Sequence, residues 1–374
     1  MILNKSLYDL YYEWWKNLDK FIFFLIILLF ITGLFFSLVS TSLLVSDKLD
    51  TNDYTFFFKH LSFVFLGLII IFILSSINED KLFKISPIIF IFSLITLILV
   101  PVVGVEVNSA KRWIDLFILP RFQPIELVKP FLIILISLIL SAEKYSNIYF
   151  KYLFSFLITL IIALLLAAQP DIGQTLLVFF SWSVLIFISG INIFFLITSC
   201  MILFISLYFL INFVSKFSYI KNRILSFFDS ETGTHNAQSE KAIDAITSGG
   251  YFGKGIGEGT LKNRVPEAHT DYIISVISEE FGVIAIILIL LMFLVFIYSV
   301  FKKVNLEKKE RTKLVLVGCI SLILVQAMIH IGVNIRLFPT TGMTLPFISY
   351  GGSSIISISI LSGIILNLTK RKIN

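Results

Sequence analysis

The sequence predicts an all-α integral membrane protein of about ten transmembrane helices, organised as a single membrane domain over residues 1–374. Hydrophobic residues make up 57% of the chain and charged residues only 14%, whereas a soluble domain has about half and about a quarter. The mean hydropathy is +0.95. Apolar runs long enough to cross a bilayer recur along the chain, so we expect the excess apolar surface to face lipid.

Ten apolar runs approach or exceed the roughly 20 residues that a hydrocarbon core of about 30 Å requires. The first run is too long for the hydrophobic part of a cleavable signal peptide, and no small-residue cleavage site closes it. We therefore expect it to remain as a span. The predicted spans are residues 21–45, 57–77, 83–103, 125–142, 152–168, 172–190, 191–214, 272–301, 313–335 and 345–369.

The distribution of lysine and arginine residues predicts how these spans are oriented in the membrane. Most short-loop basic residues fall on the side that holds both termini, so the positive-inside rule places both termini in the cytoplasm. The net charge of +6 is typical of cytoplasmic flanks that face anionic lipid, and no soluble basic domain is present to bind nucleic acid. Cys200 and Cys319 both lie in apolar runs, which excludes a disulfide framework.

Two outer connections are long and polar. Residues 104–124 carry Lys111, Arg112 and Trp113, and residues 215–271 form a large extracytoplasmic loop between spans seven and eight. Long structured loops in a compact protein are usually functional. We therefore expect the chemistry of this protein on its outer face.

The large loop ends with three polar side chains at a spacing of two. Glu267, His269 and Asp271 would share a face if this segment were extended. Asp271, at the mouth of a span, could act as a general base at a lipid headgroup. It could equally cap the helix that follows, because Asp is a favoured N-cap residue. A metal site is the third alternative, although the three residues match no family of ligand spacings.

A glycine-rich stretch, residues 248–259, precedes this segment. It does not match a phosphate-binding P-loop, because only three residues separate Gly249 from Gly253 and no strand comes before it. Two interpretations remain open. Its backbone amides could approach a pyrophosphate, or the stretch could serve as a flexible hinge.

Charged residues also occur at membrane depth, where an unpaired charge is costly. Glu126 and Lys129 are three residues apart near the outer end of span four, and Glu279 and Glu280 lie about two turns into span eight. We expect a buried ion pair between Lys129 and Glu279 or Glu280. A water-filled cavity that opens outward is the alternative, and the two are compatible.

The last outer connection, residues 336–351, contains Pro339 and Pro346 and leads into Gly351, Gly352 and Ser353. The prolines predict a break in the helix, which membrane proteins tolerate only where the backbone is buried or lines a cavity. The small residues that follow would allow close helix packing.

Taken together, five segments in this order make the chain resemble the SEDS family, from about residue 15 to the C-terminus. Trp14 with Trp15 and Val333 with Asn334 are more typical of its division branch than of its elongation branch. Arg336, where the family usually has Gly, and residues 229–240 depart from the family pattern. The five segments are residues 109–115, 123–126 with Lys129, 169–173, 266–271 with Glu279 and Glu280, and 339–353.

The resemblance implies a peptidoglycan glycosyltransferase that polymerises lipid II and works with a class B penicillin-binding protein, a transpeptidase. It implies that Asp271 is the catalytic base, and that cations or a divalent ion such as Mg²⁺ or Mn²⁺ compensate the pyrophosphate. It further implies other division proteins and membrane lipid as partners, and a place in the inner membrane at the septum. The expected substrate-binding residues are Lys111, Arg112, Trp113, Lys129, Arg264, Glu267, His269, Glu279, Glu280 and Ser353.

Two other functions remain as alternatives. Transport of lipid II across the membrane would use carboxylates at membrane depth, but transporters often show internal repeats and midplane sites. No repeat is evident in this sequence, and its polar residues concentrate on the outer face. A scaffold that only recruits the transpeptidase would not need Asp271.

Overall fold

The computed structural model describes residues 7–41, 54–107, 110–116, 119–143, 147–214 and 234–370, with residues 217, 221, 225 and 227. Twelve α-helices lie in these ranges. They are α1 Leu7–Asn17, α2 Lys20–Thr41, α3 Thr55–Ser76, α4 Glu79–Val103, α5 Ile125–Leu140, α6 Ile148–Ala168, α7 Ile172–Ile188, α8 Ile193–Phe213, α9 Thr234–Gly249, α10 Ile273–Leu306, α11 Glu310–Asn334 and α12 Gly352–Leu368.

A helix occupies each of the ten predicted spans, which confirms the predicted all-α membrane fold. Seven helices (α2, α3, α4, α6, α8, α10 and α11) are long and apolar enough to cross a membrane. The helices α7 and α12 are apolar but have 17 residues each, and α5 has 16. The two remaining helices, α1 and α9, lie outside the predicted spans, one before the first span and one in the large outer loop.

Both ends of the described chain meet at one end of the helix bundle. Trp14 of α1 donates its indole N–H to Ser75 Oγ at 2.7 Å, near the end of α3. Lys370, just after α12, donates to the carbonyl of Ile77 at 3.0 Å. The two termini therefore lie on the same side, as an even number of spans requires.

The interior of the bundle is formed mainly by α5, α11 and α12, most of whose residues are buried. The helix α12 packs along α3, and α11 packs against α7 and α10. In contrast, α8 exposes large apolar side chains such as Phe194, Phe204 and Phe213. Such a surface is stable only against lipid.

The outer segment 104–124, predicted only as a polar loop, forms a three-stranded antiparallel sheet. Glu106 lies opposite Lys111 and Val105 lies opposite Trp113, so Arg112 is the extra residue at a register shift. Such a bulge bends the strand and redirects a side chain. The strands are β1 Val105–Val107, β2 Ala110–Leu116 and β3 Leu119–Phe122, in that spatial order.

The helix α10 is broken at Gly282, where φ is 75° and ψ is −179°. The glycine-rich stretch runs alongside this break. Val283 N–H donates to the carbonyl of Gly250 at 3.0 Å, and Gly255 N–H donates to the carbonyl of Glu280 at 3.0 Å. The stretch thus supplies the hydrogen bonds that the broken helix lacks. The N–H groups of Gly253, Lys254 and Gly255 all donate to protein carbonyls, so these three amides are not available to a pyrophosphate, and their bonds anchor the stretch.

Two predicted boundaries are wrong. Span eight, predicted as 272–301, is α10, which starts where predicted but continues to Leu306. Its residues before Gly282 are nearly all buried within the protein. Span ten, predicted from residue 345, begins only at Gly352. The residues before it form a turn, in which Ser349 N–H donates to the carbonyl of Leu345 at 3.0 Å.

Replacing Gly282 with Ala is expected to lower the free energy of unfolding by about 2–4 kcal/mol. The backbone conformation of Gly282 is accessible essentially only to glycine, and the new Cβ would overlap the carbonyl of Tyr251. The measurement is thermal unfolding in detergent, with proteolysis of the glycine-rich stretch as a local readout. Gly190→Ala is the control. Its φ is +84° but nothing lies within 4 Å of the added Cβ, so only a backbone cost of about 1 kcal/mol is expected. Equal losses in both variants would contradict the close packing at Gly282.

Candidate active site

Asp271 lies in a tight turn rather than in an extended segment. Glu267 has a φ of 53°, and its carbonyl accepts from the N–H groups of Thr270, Asp271 and Tyr272 at 3.0–3.3 Å. The segment is therefore not extended, and the shared face that a spacing of two would give Glu267, His269 and Asp271 does not form. The helix α10 has Tyr272 at its N-cap, so Asp271 does not occupy the cap position.

The connection between α11 and α12 holds this turn in place through the backbone. Ser349 Oγ donates to the carbonyl of Thr270 at 2.7 Å, and Tyr350 N–H donates to that of His269 at 3.2 Å. Asn334 Nδ2 donates to the carbonyl of Asp271 at 3.0 Å. Because all three bonds use main-chain oxygens of the turn, they fix the position of Asp271 without involving its carboxylate.

The carboxylate of Asp271 faces a glycine. Gly342 has a φ of +71°, and a Cβ built on it would lie 3.5 Å from Asp271 Oδ2. Asp271 is half-buried. An alanine at 342 would strain the backbone and place its Cβ in van der Waals contact with the Asp271 carboxylate, which the glycine leaves uncovered on this side.

His269 contributes an aromatic contact next to this turn. Its ring lies 4.9 Å from the ring of Phe56 in α3 and 6.1 Å from that of Tyr350. Burial lowers the pKa of His269 from its ordinary value, an effect that the Glu267 carboxylate partly opposes. The neutral imidazole therefore packs in this cluster at neutral pH, and it connects the outer end of α3 with the Asp271 turn.

Arg112 is held by the turn between α6 and α7. Its guanidinium donates to the carbonyl of Gln169 at 3.1 Å and to the carbonyl of Pro170, and its Nε lies 3.9 Å from Asp171 Oδ2. The same Asp171 oxygen accepts from Gln123 Nε2 at 3.0 Å. Arg112 is thus mainly engaged in fixing the sheet onto the bundle, a role that its sequence motif alone did not reveal.

Ser353 belongs to this polar network, since its Oγ accepts from the backbone N–H of Gln123 at 3.0 Å. The network reaches the connection that contacts Asp271. Gly173 lies against Thr341 and Met343, so closely that an added Cβ would be 2.8 Å from Thr341 Cβ. The structure therefore brings Arg112, Ser353 and the Asp271 turn together around the connection between α11 and α12.

The buried charges pair differently from the prediction. Lys129 Nζ lies 2.8 Å from Glu126 Oε2 on the same helix, with both side chains at most 3% exposed. Gln174 Nε2 donates to the other Glu126 oxygen at 2.9 Å. The predicted pairing of Lys129 with Glu279 or Glu280 is wrong, because those two residues lie in the outer part of α10 beside the glycine-rich stretch.

Glu279 binds the glycine-rich stretch and the residues just after it. Its Oε1 accepts from Lys254 Nζ at 3.0 Å and from Leu261 N–H at 2.9 Å, while its side chain is fully buried. The main chain of Glu280 binds the same stretch. Both glutamates therefore hold the outer loop against α10, and these contacts do not bring them into a cavity with Lys129.

The remaining predicted site residues lie nearer the surface. Lys111, Arg264 and Glu267 are exposed, and Trp113 is half-buried. Their side chains remain accessible from the outer face. Within the part of the chain that the structure describes, no three His, Cys, Asp or Glu side chains form a group that could hold a metal ion, so Glu267, His269 and Asp271 do not make a metal site by themselves.

A family model described as a cell cycle protein, FtsW/RodA/SpoVE, matches residues 19–374. The chain belongs to this family. It is 33% identical to the probable peptidoglycan glycosyltransferase FtsW of Haemophilus influenzae, over 94% of this chain and 90% of that protein. The corresponding Caulobacter vibrioides protein is 30% identical, over 96% and 91%.

Solved structures of the FtsW/RodA/SpoVE family share the fold. A chain from a peptidoglycan synthase complex that coordinates polymerisation and crosslinking matches with a TM-score of 0.78 and 26% identity, covering 94% of this chain and 97% of that one. The rod shape determining protein RodA of Thermus thermophilus matches with a TM-score of 0.70 and 26% identity, over 95% and 97%.

The two departures from the family pattern meet in space. Arg336 has a φ of 57°, a conformation that glycine adopts without strain, which accounts for the glycine usual in the family. Its Nη1 lies 3.4 Å from Glu240 Oε1, and Glu240 lies in the atypical stretch 229–240. Residues 229–233 are outside the described residues.

Sequence reasoning missed several residues that build this site. Asn334, Ser349 and Tyr350 fix the Asp271 turn, and Gln123 joins Arg112 to Ser353. In the sequence, Asn334 stands out only as typical of the division branch. One signal in the sequence could have found them. Their motifs place polar residues in segments predicted to be buried, and buried polar groups need hydrogen-bond partners.

Proposed function

We propose that the protein is a peptidoglycan glycosyltransferase of the FtsW type, which polymerises lipid II at the outer face of the inner membrane. The observation that carries this proposal is the half-buried carboxylate of Asp271, held on an outer turn beside Gly342. A carboxylate in such a rigid, accessible position can accept a proton from a substrate hydroxyl. The names of the FtsW relatives support the reaction class.

In the proposed reaction, the 4-hydroxyl of one lipid II N-acetylglucosamine attacks C1 of the N-acetylmuramic acid at the end of the growing chain. Asp271 accepts the hydroxyl proton as the new glycosidic bond forms. The bond from C1 to oxygen breaks, and undecaprenyl pyrophosphate leaves with the electron pair. The exposed cations Lys111 and Arg264 are available to the departing pyrophosphate.

Other side chains would position substrate or the residues that bind it. Arg112 and Ser353 order the sheet and the start of α12, Lys129 is buried in α5 beside Glu126, and Glu279 and Glu280 hold the outer loop. Glu267 and His269 shape the Asp271 turn. Trp113 is half-buried and would offer an aromatic surface suited to a sugar ring. A Mg²⁺ or Mn²⁺ ion would have to be held jointly by the protein and the pyrophosphate.

The proposal includes a partner and a place in the cell. A class B penicillin-binding protein would crosslink the strands, and the similarity to a chain from a peptidoglycan synthase complex that coordinates polymerisation and crosslinking supports a partner of this kind. The short-loop basic residues support cytoplasmic termini. The protein would act at the division septum with other division proteins, and the description of its family as a cell cycle protein supports this place.

The test is polymerisation of fluorescent lipid II by the purified protein in liposomes, with its cognate transpeptidase present. Glycan strands that a muramidase digests are the expected product. Movement of lipid II between leaflets without strand formation would favour the transport alternative. No strands and no movement, with an active partner, would favour the scaffold alternative.

A further inference from the structure

Three polar side chains lie at a spacing of four along one buried face of α11. Gln326, His330 and Asn334 are each at most 1% exposed, and residues four apart in a helix share a face. All three are hydrogen-bonded to main-chain oxygens of segments outside the helix. This face of α11 therefore meets the candidate active site with a polar side chain on each of three successive turns.

Two of these bonds reach the segments that adjoin the Asp271 carboxylate. Asn334 Nδ2 donates to the carbonyl of Asp271 at 3.0 Å. One turn earlier, His330 Nδ1 lies 2.7 Å from the carbonyl oxygen of Met343, the residue after Gly342. Because a carbonyl oxygen only accepts, Nδ1 carries a hydrogen and donates it. A single helix thus fixes both the Asp271 turn and the glycine segment that faces its carboxylate.

The chain turns back along α11 directly after this helix ends. Leu337 N–H donates to the carbonyl of Gly332 at 2.7 Å, and a Cβ added to Gly332 would overlap the ring of Phe338. The turn is therefore closely packed against α11. The returning segment is bound to the helix again at Met343, where it passes the Asp271 turn.

We propose that His330 is a positioning residue for the general base, an inference that rests on the proposed function. Its bond to the Met343 carbonyl sets the distance between Gly342 and the Asp271 carboxylate, where the substrate hydroxyl has to enter. A displacement of about 1 Å in such a site can slow a reaction by about 10²-fold. The His330 side chain is buried in the protein, so it acts through the connection between α11 and α12 and not by contact with substrate.

The kinetic test compares two substitutions of His330 in the lipid II polymerisation assay. Leucine nearly preserves the volume of the side chain but removes the donor. Asparagine leaves a small cavity, but its Nδ2 is as many bonds from the main chain as Nδ1 of histidine and donates to the same carbonyl. His330→Leu is expected to lower kcat about tenfold or more and to change KM less than about twofold. His330→Asn is expected to keep kcat within about threefold of wild type, although the cavity lowers its unfolding temperature.

Packing and hydrogen bonding predict opposite orders of activity for these two variants. If packing alone mattered, His330→Asn would be at least as slow as His330→Leu, and that order would overturn the proposal. A kcat above about half of the wild-type value in His330→Leu would contradict it as well.

Asn367→Leu is the matched control for a lost buried hydrogen bond. Asn367 is also buried, and it donates to the carbonyls of Leu74 and Ile77 at 2.7 Å at the inner end of the bundle. Its replacement should lower the unfolding temperature and leave kcat of the folded protein within about twofold of wild type. An equal fall of kcat in Asn367→Leu and His330→Leu would show general destabilisation and refute a specific role of His330.

A labelling measurement separates this proposal from the proposed function. Purified protein in nanodiscs is treated with a water-soluble carbodiimide and an amine, and mass spectrometry compares the labelling of Asp271 with that of the exposed Asp244. His330→Leu is expected to change this ratio about threefold or more, because the segment beside the carboxylate loses its hydrogen bond to α11. His330→Asn should keep the wild-type ratio. A changed ratio in His330→Leu supports the positioning role even if no strands form, and an unchanged ratio would exclude it.

Discussion

Asp271→Asn is expected to reduce glycan-strand synthesis by about 10²–10⁴-fold, the usual contribution of a general base. The amide has nearly the same shape as the carboxylate but cannot accept the substrate proton. The turn should survive the change, because Asn334, Ser349 and Tyr350 bind its main chain rather than this side chain. The rate of strand formation from fluorescent lipid II is the measurement.

The matched control is Asp244→Asn, which removes an exposed carboxylate of α9 in the same outer loop. It should leave the rate within about twofold of wild type. Unfolding temperatures of both variants should match wild type. If Asp271→Asn retained a third or more of the wild-type rate, Asp271 would not be the base, and its role in the turn would be structural.

Lys129→Met is expected to lower the free energy of unfolding by about 3–5 kcal/mol, because it leaves Glu126 buried without its cation. The pair is 2.8 Å apart, with the Lys129 side chain fully buried. The double variant with Glu126→Gln should recover part of the loss, since no uncompensated charge then remains. Unfolding in detergent, analysed as a double-mutant cycle, measures the coupling.

An exposed pair provides the comparison. Lys309 and Glu79 are 3.0 Å apart at the inner end of the bundle, with side chains 47% and 21% exposed. Lys309→Met should cost less than about 1 kcal/mol, because water screens this pair. Similar losses in Lys129→Met and Lys309→Met would mean that Lys129 is reached by water, as the predicted outward-opening cavity would require.

The helices were predictable because lipid imposes a simple length and composition on each span. The predicted bounds and surroundings of apolar segments are wrong where protein, rather than lipid, surrounds the backbone. Residues 345–351 are apolar enough for a span but form a turn buried against other segments. The sequence predicts that the residues of α10 before Gly282 are embedded in the membrane for the same reason. Hydropathy reports that a residue avoids water and does not distinguish protein from lipid.

The sequence predicts which residues belong to the candidate site better than it predicts their contacts. The motifs indicate Arg112, Ser353 and Asp271 as functional residues, and the segments that carry them do lie together. Their partners depended on tertiary contacts that spacing does not encode. Lys129 pairs with Glu126 three residues away rather than with a remote glutamate. The extended form expected for residues 267–271 was excluded only by the hydrogen bonds to the Glu267 carbonyl.

The contact between Arg336 and Glu240 has an evolutionary consequence. A non-glycine residue with positive φ costs about 1 kcal/mol, and a partly exposed ion pair recovers at most a similar amount. Arginine without Glu240 would keep the strain with nothing to offset it. Relatives that have arginine at the position of Arg336 are therefore expected to keep an acidic residue at the position of Glu240.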